Sequence, residues 1–324
     1  MVKLKTGSLW FLAAFLFLST VPTVAEVLHA FSLCEGFLLQ GNPPQIPGIV
    51  NGRNIQNQNR YKPICQTYNN VRRYLTLYDT RNRIPVFSAY VYRGDGGGAR
   101  PQGELWKIEP QLDDEKKDEN KKNMVDVEAR RIYPNQAGEK DYAEGPQYNR
   151  GHFFPSTHAF NQDDKISTFT LTNVAPQITA FNGESWGRME RCVTCVMERY
   201  CIEANVIKAF VVVGAIPSAE DKNDPKKNKL NERVNIPSQF WSAFCCYSAV
   251  ENKWIASAFW GKNVADTDPN QHMQTRTLQK LIDDLKITAF PPTKKDLPSV
   301  CPLDTTVANL YPNFANQNNC DCPT

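Results

Sequence analysis

The chain has 324 residues, with 37 Lys and Arg against 34 Asp and Glu, and this balance excludes a strongly basic surface over the whole molecule. Lys3 and Lys5 belong to a predicted signal peptide, so the remaining chain carries 35 basic and 34 acidic residues. It therefore lacks the broad basic footprint of many nucleic-acid binders, although an enzyme that must release its product needs only a local basic groove.

The first 25 residues have the pattern of an export signal. Lys3 and Lys5 precede an almost wholly apolar run from Leu9 to Leu18, and Thr23-Val24-Ala25 offers small residues for cleavage. The run is shorter than the roughly 20 residues that a membrane-spanning helix needs, and no later segment approaches that length. A membrane anchor is the alternative, but we expect a secreted, extracellular chain with no stable membrane insertion.

All ten cysteines follow the predicted signal. An even count in an exported chain indicates disulfides, whose pairing the sequence does not determine. The adjacent Cys245 and Cys246 are expected to pair with two different partners. Cys320 and Cys322 are expected to connect the C-terminal segment back to the body of the protein.

A second interpretation exists for three of these cysteines. The spacing of Cys192, Cys195 and Cys201 also suggests a zinc site. No histidine lies at a suitable spacing nearby, and the predicted compartment is oxidising, so we favour disulfides.

Residues 26–64 are rich in Pro, Gly, Asn and Gln, which predicts an irregular, disulfide-stapled entry segment. Aromatic and β-branched runs at 74–78 and 85–92, separated by a polar turn at 79–83, then predict a hairpin. Gly94 to Gly98 follows as a break in the pattern.

The second half of the chain contains further regular elements. Apolar runs at 207–216, 240–247 and 254–260 predict strands. Leu residues and Ile282 at helical spacing predict an amphipathic helix at 275–285, with turn and cap residues at 266–269. This order of elements predicts one mixed α+β domain.

Residues 148–190 concentrate side chains that suit phosphate chemistry. A neutral His152, with an ordinary pKa near 6.5, can accept a proton from water beside a phosphodiester. Arg150 can bind phosphate oxygens through two hydrogen bonds, and Gly151 allows close backbone approach or a positive φ. A lone histidine is more often a packing residue, but these neighbours favour a catalytic role for His152.

Asn182 and Glu190 supply oxygens that suit a hard metal ion. If the segment between them is an α-helix, it spans about 2.2 turns and puts both side chains on one face. Mg²⁺ takes such oxygen ligands and keeps several waters. N-capping of the helix is the alternative role for Asn182. We expect a hydrated metal ion here, opposite His152, where it would stabilise the leaving oxygen.

The motifs of this region occur in a fixed order. They are Leu105-Trp106-Lys107, Asn149-Arg150-Gly151-His152, Asn173-Val174-Ala175-Pro176-Gln177, Asn182 to Trp186, Glu190, and Asn235-Ile236-Pro237-Ser238-Gln239-Phe240-Trp241. Together they resemble the DNA/RNA non-specific endonuclease family, which has the ββα-metal fold. The resemblance covers roughly residues 65–290.

The resemblance implies an α+β, ββα-metal nuclease fold with a mixed antiparallel sheet, flanking helices and disulfide staples. It divides the chain after the signal into an irregular N-terminal segment at 26–64, an endonuclease domain at 65–290 and a cysteine-containing tail at 291–324. The implied cofactor is Mg²⁺, with Mn²⁺ as an alternative, and the implied partners are DNA and RNA, bound through the phosphate backbone. The oligomeric state stays open.

The resemblance also implies roles for single residues. His152 corresponds to the general base and Asn182 to the direct metal ligand. Glu190 corresponds to the acidic residue that fixes metal-bound water.

Three further positions correspond to residues that hold the substrate. Arg150 and Asn173 match residues of the catalytic site that hold the phosphate and the base-bearing face. The family also uses an upstream arginine, for which Arg83 and Arg100 are both candidates.

Asn149 departs from the family pattern, which has Asp at this position. The amide keeps the shape but loses one negative charge beside the metal ion and its waters. A charge-assisted hydrogen bond contributes about 1.5–3 kcal/mol. Its loss in the transition state would slow the reaction by roughly one to two decades.

Two functions follow from these predictions. The first is a secreted, metal-dependent endonuclease that cleaves DNA and RNA with little sequence preference and with activity weakened by Asn149. The second is a catalytically inactive family member that acts as a nucleic-acid or protein binding module.

Overall fold

The structure, a computed structural model, describes residues 27–103, 106–114, 121–143, 147–293, 298–317 and 319–323. The predicted signal peptide at 1–25 lies outside these ranges. Within them, no helix combines the length and the apolar character that crossing a lipid bilayer requires.

The longer elements follow one another along the described chain. The strands of five or more residues are β1 (Tyr61–Tyr68), β2 (Val71–Asp79), β3 (Ile84–Tyr92), β4 (Tyr148–His152), β5 (Val174–Ile178), β6 (Ala209–Pro217), β7 (Pro237–Ser248) and β8 (Lys253–Lys262). The longer α-helices are α1 (Gln162–Ser167), α2 (Gly187–Tyr200) and α3 (Leu278–Leu285).

Shorter elements connect them. Two-residue strands pair as Val50–Asn51 with Asn54–Ile55, Lys107–Ile108 with Val125–Asp126, Ile202–Glu203 with Val206–Ile207, and Lys229–Leu230 with Val234–Asn235. Short 3₁₀ helices of three to seven residues form at Phe31–Phe37, Leu39–Gly41, Pro110–Leu112, Glu139–Tyr142, Ser156–His158, Leu171–Asn173 and Ala308–Phe314.

Six strands form one antiparallel sheet in the order β8-β7-β6-β3-β2-β1. The predicted hairpin at 74–92 is present as β2 and β3, and the three predicted strands of the second half are present as β6, β7 and β8. The chain leaves the sheet after β3 and returns at β6. This excursion carries β4, β5 and α2, which form the candidate site.

Both faces of the sheet are covered, because side chains alternate between them along each strand. Tyr74 and Phe240 pack on one face, against the β4-β5 hairpin and α2. The next residues along the chain, Leu75 and Trp241, pack on the other face, against the N-terminal segment and α3. An antiparallel sheet with flanking helices confirms the predicted α+β class.

All ten cysteines form disulfides, pairing Cys34–Cys65, Cys192–Cys322, Cys195–Cys320, Cys201–Cys246 and Cys245–Cys301. The adjacent Cys245 and Cys246 have different partners, as predicted, because neighbouring residues of a strand point to opposite faces. The tail is bound to α2, also as predicted. The zinc interpretation is excluded because each of its three cysteines is bonded to another cysteine.

Two boundaries differ from the predictions. The division at residue 64 falls inside β1, so the entry segment continues directly into the sheet. Helix α3 begins at Leu278, and its N-cap is Thr277, whose side chain accepts a hydrogen bond from the Lys280 backbone at 3.0 Å. The residues at 266–269, which were predicted to cap it, lie further upstream.

Candidate active site

An antiparallel hairpin and the helix that follows it form the frame of the site. Strand β4 pairs with β5 in a register that sets Gly151 opposite Ala175 and His152 opposite Val174. A Cβ atom on Gly151 would lie only 2.2 Å from the Gln177 side chain. Glycine is therefore required here for close packing, which is the first of the two roles predicted for it.

His152 lies between aromatic rings at the end of β4. Its ring centroid is 5.5 Å from Trp106 and 5.1 Å from Phe169. The ring forms a hydrogen bond with the Arg150 backbone, whereas its Nε2 atom is buried and has no hydrogen-bond partner among the described residues. The donor is therefore Nδ1–H, and Nε2 keeps its lone pair.

Burial and the positive charges of Arg100 and Arg150 together lower the pKa of His152 to about 3, although the hydrogen bond to the Arg150 backbone acts in the opposite direction. The imidazole is consequently neutral at physiological pH. A general base needs a neutral imidazole with a lone pair that is not used in a hydrogen bond, and Nε2 of His152 has such a lone pair.

The two arginines are held over aromatic rings. The Arg150 guanidinium lies 4.9 Å from the Trp106 ring centroid and 5.4 Å from that of Tyr142. The Arg100 guanidinium lies 5.6 Å from the Phe169 centroid. Such stacking attracts the cation to the ring and restricts its orientation, so both charges have defined places near His152.

Asn182 lies in a continuous helical path that leads into α2. One turn at Thr179–Phe181 precedes a π-helical turn at Asn182–Trp186. Asn182 has helical φ and ψ and makes no side-chain cap, which excludes the alternative N-cap role. Asp266 holds the wide turn, because its carboxylate accepts hydrogen bonds from the Ser185 N–H and hydroxyl, each at 2.8 Å.

Glu190 lies on the first turns of α2. Its Oε1 accepts a hydrogen bond from the Trp186 indole N–H at 3.0 Å. Burial raises the pKa of Glu190 to about 7, while this hydrogen bond and the charges of Arg191 and Arg100 act in the opposite direction. A buried carboxylate of this kind is stabilised in its charged form by a nearby cation.

These side chains meet in one cleft. Its lining includes six of the predicted residues, namely Arg100, Asn149, Arg150, His152, Asn182 and Glu190. Arg191 also lines it, so the charged side chains that line the cleft in the described part of the chain are three arginines and one glutamate. The nearly neutral chain thus has a local basic groove, as an enzyme acting on an anionic polymer requires.

The sequence model of the DNA/RNA non-specific endonuclease family matches residues 51–288. The chain belongs to this family. Endonuclease domain-containing 1 protein of Homo sapiens is 29% identical over 285 residues, which cover 86% of this chain and 50% of that protein. The Mus musculus protein of the same name is 28% identical over 257 residues, covering 78% and 46%. The chain spans about half the length of these curated relatives.

A solved structure is also similar. A chain in the crystal structure of the EndoG/EndoGI complex is 20% identical, with a TM-score of 0.45, and the match covers 68% of this chain and 83% of that chain. In this chain β4, β5 and α2 follow one another as a ββα unit.

Asn173 does not line the cleft, which corrects its predicted contact with substrate. The side chain is fully buried. Its amide nitrogen donates to the carbonyls of Phe154 and Thr168, and its Oδ1 accepts from the Phe154 N–H and the Ser88 hydroxyl. Every bond thus goes to protein groups, and Asn173 positions the backbone that follows His152.

Arg83 is the second correction. It donates hydrogen bonds to the backbone carbonyls of Pro134, Arg81 and Arg233, and it does not line the cleft. Of the two arginines that the sequence left open, only Arg100 lies with His152. The long excursion after β3 brings Arg100 back to the site, which sequence spacing does not reveal.

Two charged residues at the site lie outside the predicted set. Arg191 lines the cleft, and Asp266 supports the turn that carries Asn182. For Arg191 the sequence offers only its position next to Glu190, and adjacent residues of a helix do not face each other. Asp266 is about 80 residues from its partner, and no local pattern indicates that contact.

Proposed function

We propose that this chain is a metal-dependent endonuclease that hydrolyses phosphodiester bonds of DNA and RNA with little sequence preference. The observation that carries the proposal is the buried Nε2 of His152, which has no hydrogen-bond partner among the described residues and lies in a cleft shared with Asn182, Glu190 and three arginines. The arginines would hold an anionic phosphodiester, and the neutral imidazole would take a proton from the attacking water.

The side chains of Asn182 and Glu190 fit a hydrated divalent cation. In the described part of the chain, neither the Asn182 amide nor the Glu190 Oε2 has a hydrogen-bond partner. One amide oxygen and one carboxylate leave the remaining coordination to water, as Mg²⁺ prefers, and Mn²⁺ is the alternative. When bound, the ion would supply positive charge for the leaving oxygen.

The residues of the cleft would then orient the general base and the phosphate. The hydrogen bond from Nδ1–H to the Arg150 carbonyl orients the His152 ring, and aromatic stacking orients Arg150 and Arg100. A bound phosphodiester offsets the charges of these two arginines, which raises the pKa of His152 and makes it a stronger base. Contacts to phosphate carry no information about the base sequence, so low specificity follows.

Plasmid cleavage tests the proposal. The mature chain is incubated with supercoiled plasmid and Mg²⁺ or Mn²⁺, and His152→Ala is compared with His272→Ala, an exposed histidine outside the cleft. Loss of a general base slows catalysis by roughly 10²–10⁴-fold, so only His152→Ala should lose activity. Cleavage that is equal in both variants, or absent from the native chain with either metal, would sink the enzymatic proposal.

Asn149 favours a second candidate function. A catalytically inactive member of the family would bind nucleic acid or protein through the same fold. Binding of a DNA duplex without cleavage in either metal, by the native chain, is the result that this candidate predicts.

We also propose that the chain is secreted. Five disulfides are typical of proteins that fold in an oxidising compartment. Expression of the full sequence with a C-terminal tag should bring the protein into the culture medium with its N-terminus near Glu26. Retention of the uncleaved chain in the cells would contradict this proposal.

A further inference from the structure

The C-terminal segment places a carboxylate beside the candidate active site. Cys320 and Cys322 form disulfides with Cys195 and Cys192 of helix α2. Asp321 lies between the two bridged residues. Its backbone is therefore fixed against α2 on both sides.

Arg191 is the partner of this carboxylate. Its Nε–H donates a hydrogen bond of 2.6 Å to Oδ2 of Asp321. The two side chains are 46% and 38% exposed, so solvent and ions can reach the pair. Arg191 also lines the cleft that contains His152 and Glu190. The ion pair thus connects the tail with the candidate active site.

The helix geometry leaves part of the guanidinium available. Gly187 and Arg191 are one turn apart on α2, and a Cβ atom on Gly187 would lie 3.3 Å from Nη1 of Arg191. The missing side chain therefore gives room for the guanidinium beside a cleft residue. Within the described ranges, Nη1 and Nη2 have no hydrogen-bond partner, because Asp321 accepts only from Nε. Two donor groups remain for an anion.

We propose that Arg191 is a further phosphate-binding residue of the cleft, and that Asp321 on the disulfide-bound tail weakens its hold on nucleic acid. The inference rests on the proposed nuclease function and adds one contact to its substrate. A carboxylate in contact with Nε offsets part of the positive charge that a phosphate would meet. Exposed ion pairs are weak, so the tail lowers affinity for the polyanion without closing the cleft.

The first test concerns Arg191. Binding of a short DNA duplex is measured by fluorescence anisotropy in EDTA, with the full chain carrying His152→Ala so that no cleavage occurs. Adding Arg191→Gln should weaken binding by roughly three- to tenfold and lower the log–log salt slope by about one, as loss of one phosphate contact does. Arg199→Gln removes the same charge from α2 outside the cleft and should leave the slope unchanged.

The second test concerns Asp321. Asp321→Asn should strengthen binding by roughly two- to fivefold at an ionic strength of about 0.15 M, where distant charges are screened. The two disulfides keep the tail in place, so the variant changes the carboxylate alone. Asp304→Asn makes the same charge change elsewhere in the C-terminal segment as a control. Most of the gain should disappear in the Arg191→Gln/Asp321→Asn double variant, because the two residues are coupled.

Three results would overturn the inference. Unchanged affinity and salt slope in Arg191→Gln would remove Arg191 from the binding surface. Weaker binding in Asp321→Asn, or the same gain with and without Arg191, would remove the role assigned to Asp321. The proposed function would still hold in these cases if the His152→Ala chain binds the duplex and the native chain cleaves the plasmid. A chain that binds no duplex and cleaves no plasmid removes both.

Discussion

Asn149 is an uncharged residue in a cleft that is lined by several charged side chains. Its Oδ1 accepts a hydrogen bond from the Thr179 hydroxyl at 3.3 Å, and it lines the cleft with Arg150. The family pattern has Asp here, so one negative charge is missing near the residues that we propose for the metal ion. The amide still occupies the same place, which favours a weakened site over a destroyed one.

Restoring the carboxylate should therefore raise activity. We expect Asn149→Asp to cleave plasmid roughly 10- to 100-fold faster in Mg²⁺, in proportion to a charge-assisted hydrogen bond of about 1.5–3 kcal/mol. Initial rates over a series of Mg²⁺ concentrations measure the change. Asn149→Ala serves as the control and should show no gain. An unchanged rate in Asn149→Asp would mean that the missing charge does not limit this site.

Asn173 stabilises the fold and does not contact the substrate. Asn173→Ala removes hydrogen bonds to Phe154, Thr168 and Ser88 in a fully buried place, and we expect a loss of about 2–4 kcal/mol in the free energy of unfolding. Chemical denaturation measures this loss. Below the transition, the folded variant should bind DNA almost as the native chain does. A stable variant with strongly reduced DNA binding would restore the direct contact that the sequence suggested.

For single residues, the sequence motifs predicted contacts between residues that are close together in the chain. His152, Arg150 and Asn149 come from one short strand, so their proximity is built into the spacing. The burial of Asn173 depends on Ser88 from a distant strand, and the choice between Arg83 and Arg100 depends on the path of a loop. Neither contact has a local pattern in the sequence.

Among the elements, the π-helical turn at Asn182–Trp186 has the most direct consequence for the site. A π turn inserts one residue relative to an α-helix and is frequent at functional sites. The simple estimate of 2.2 α-helical turns therefore does not describe the path from Asn182 to Glu190, although both residues line the cleft. Asp266 stabilises the wide turn through two hydrogen bonds to Ser185.

Removing that support should weaken metal binding. Asp266→Asn loses the charged acceptor for the Ser185 N–H, so Asn182 becomes less well positioned. We expect the Mg²⁺ concentration for half-maximal activity to rise by roughly three- to tenfold, in line with the effect of residues that orient metal ligands. Asp268→Asn is the matched control, because among the described residues the Asp268 carboxylate accepts only from the nearby Asn270 N–H. Equal Mg²⁺ requirements in the two variants would contradict the positioning role.

The strands were predictable from their apolar, aromatic and β-branched runs, and α3 was predictable because its apolar residues follow the helical period of 3.6. The cap of α3 was assigned to the wrong turn, since Asp266 has a partner about 80 residues earlier in the chain. No local pattern indicates Arg191, because the helical spacing from Asn182 to Glu190 does not include it. The role of Asp266 depends on its long-range hydrogen bonds to Ser185 and not on local propensity.

Across the whole molecule, a buried histidine links the sheet with α2. His158 accepts or donates hydrogen bonds with the Tyr90 hydroxyl at 2.8 Å and the Thr194 hydroxyl at 2.9 Å. Burial lowers its pKa to about 4, against a hydrogen bond to the Glu190 backbone. His158 therefore packs between the sheet and α2.

This pKa shift predicts a loss of stability in mild acid. The unfolded chain binds a proton at His158 near pH 6.5, whereas the folded chain does so only near pH 4. The stability contributed by the neutral ring is present above about pH 6.5, falls by up to about 3 kcal/mol as pH drops to about 4, and changes no further below.

The measurement is a comparison of denaturation curves in EDTA between the native chain and His158→Gln. His152 acts in the same direction, and Glu190, whose pKa is raised to about 7, acts in the opposite one. The difference between the two proteins isolates His158 and should shrink steadily from pH 6.5 to pH 4. A difference that stays constant over this range would contradict the assignment.

The two bridges between α2 and the tail also set an order of events during biosynthesis. Cys192 and Cys195 precede their partners by 130 and 125 residues, the longest separations of the five bridges. At about 5–20 residues per second, a ribosome needs on the order of 10 s to travel from one set to the other. Until then the helix that carries Glu190 and Arg191 has no correct partner for either thiol. Both cysteines of each of the other three pairs are synthesised earlier, so the two bridges of α2 are the last of the five that can form.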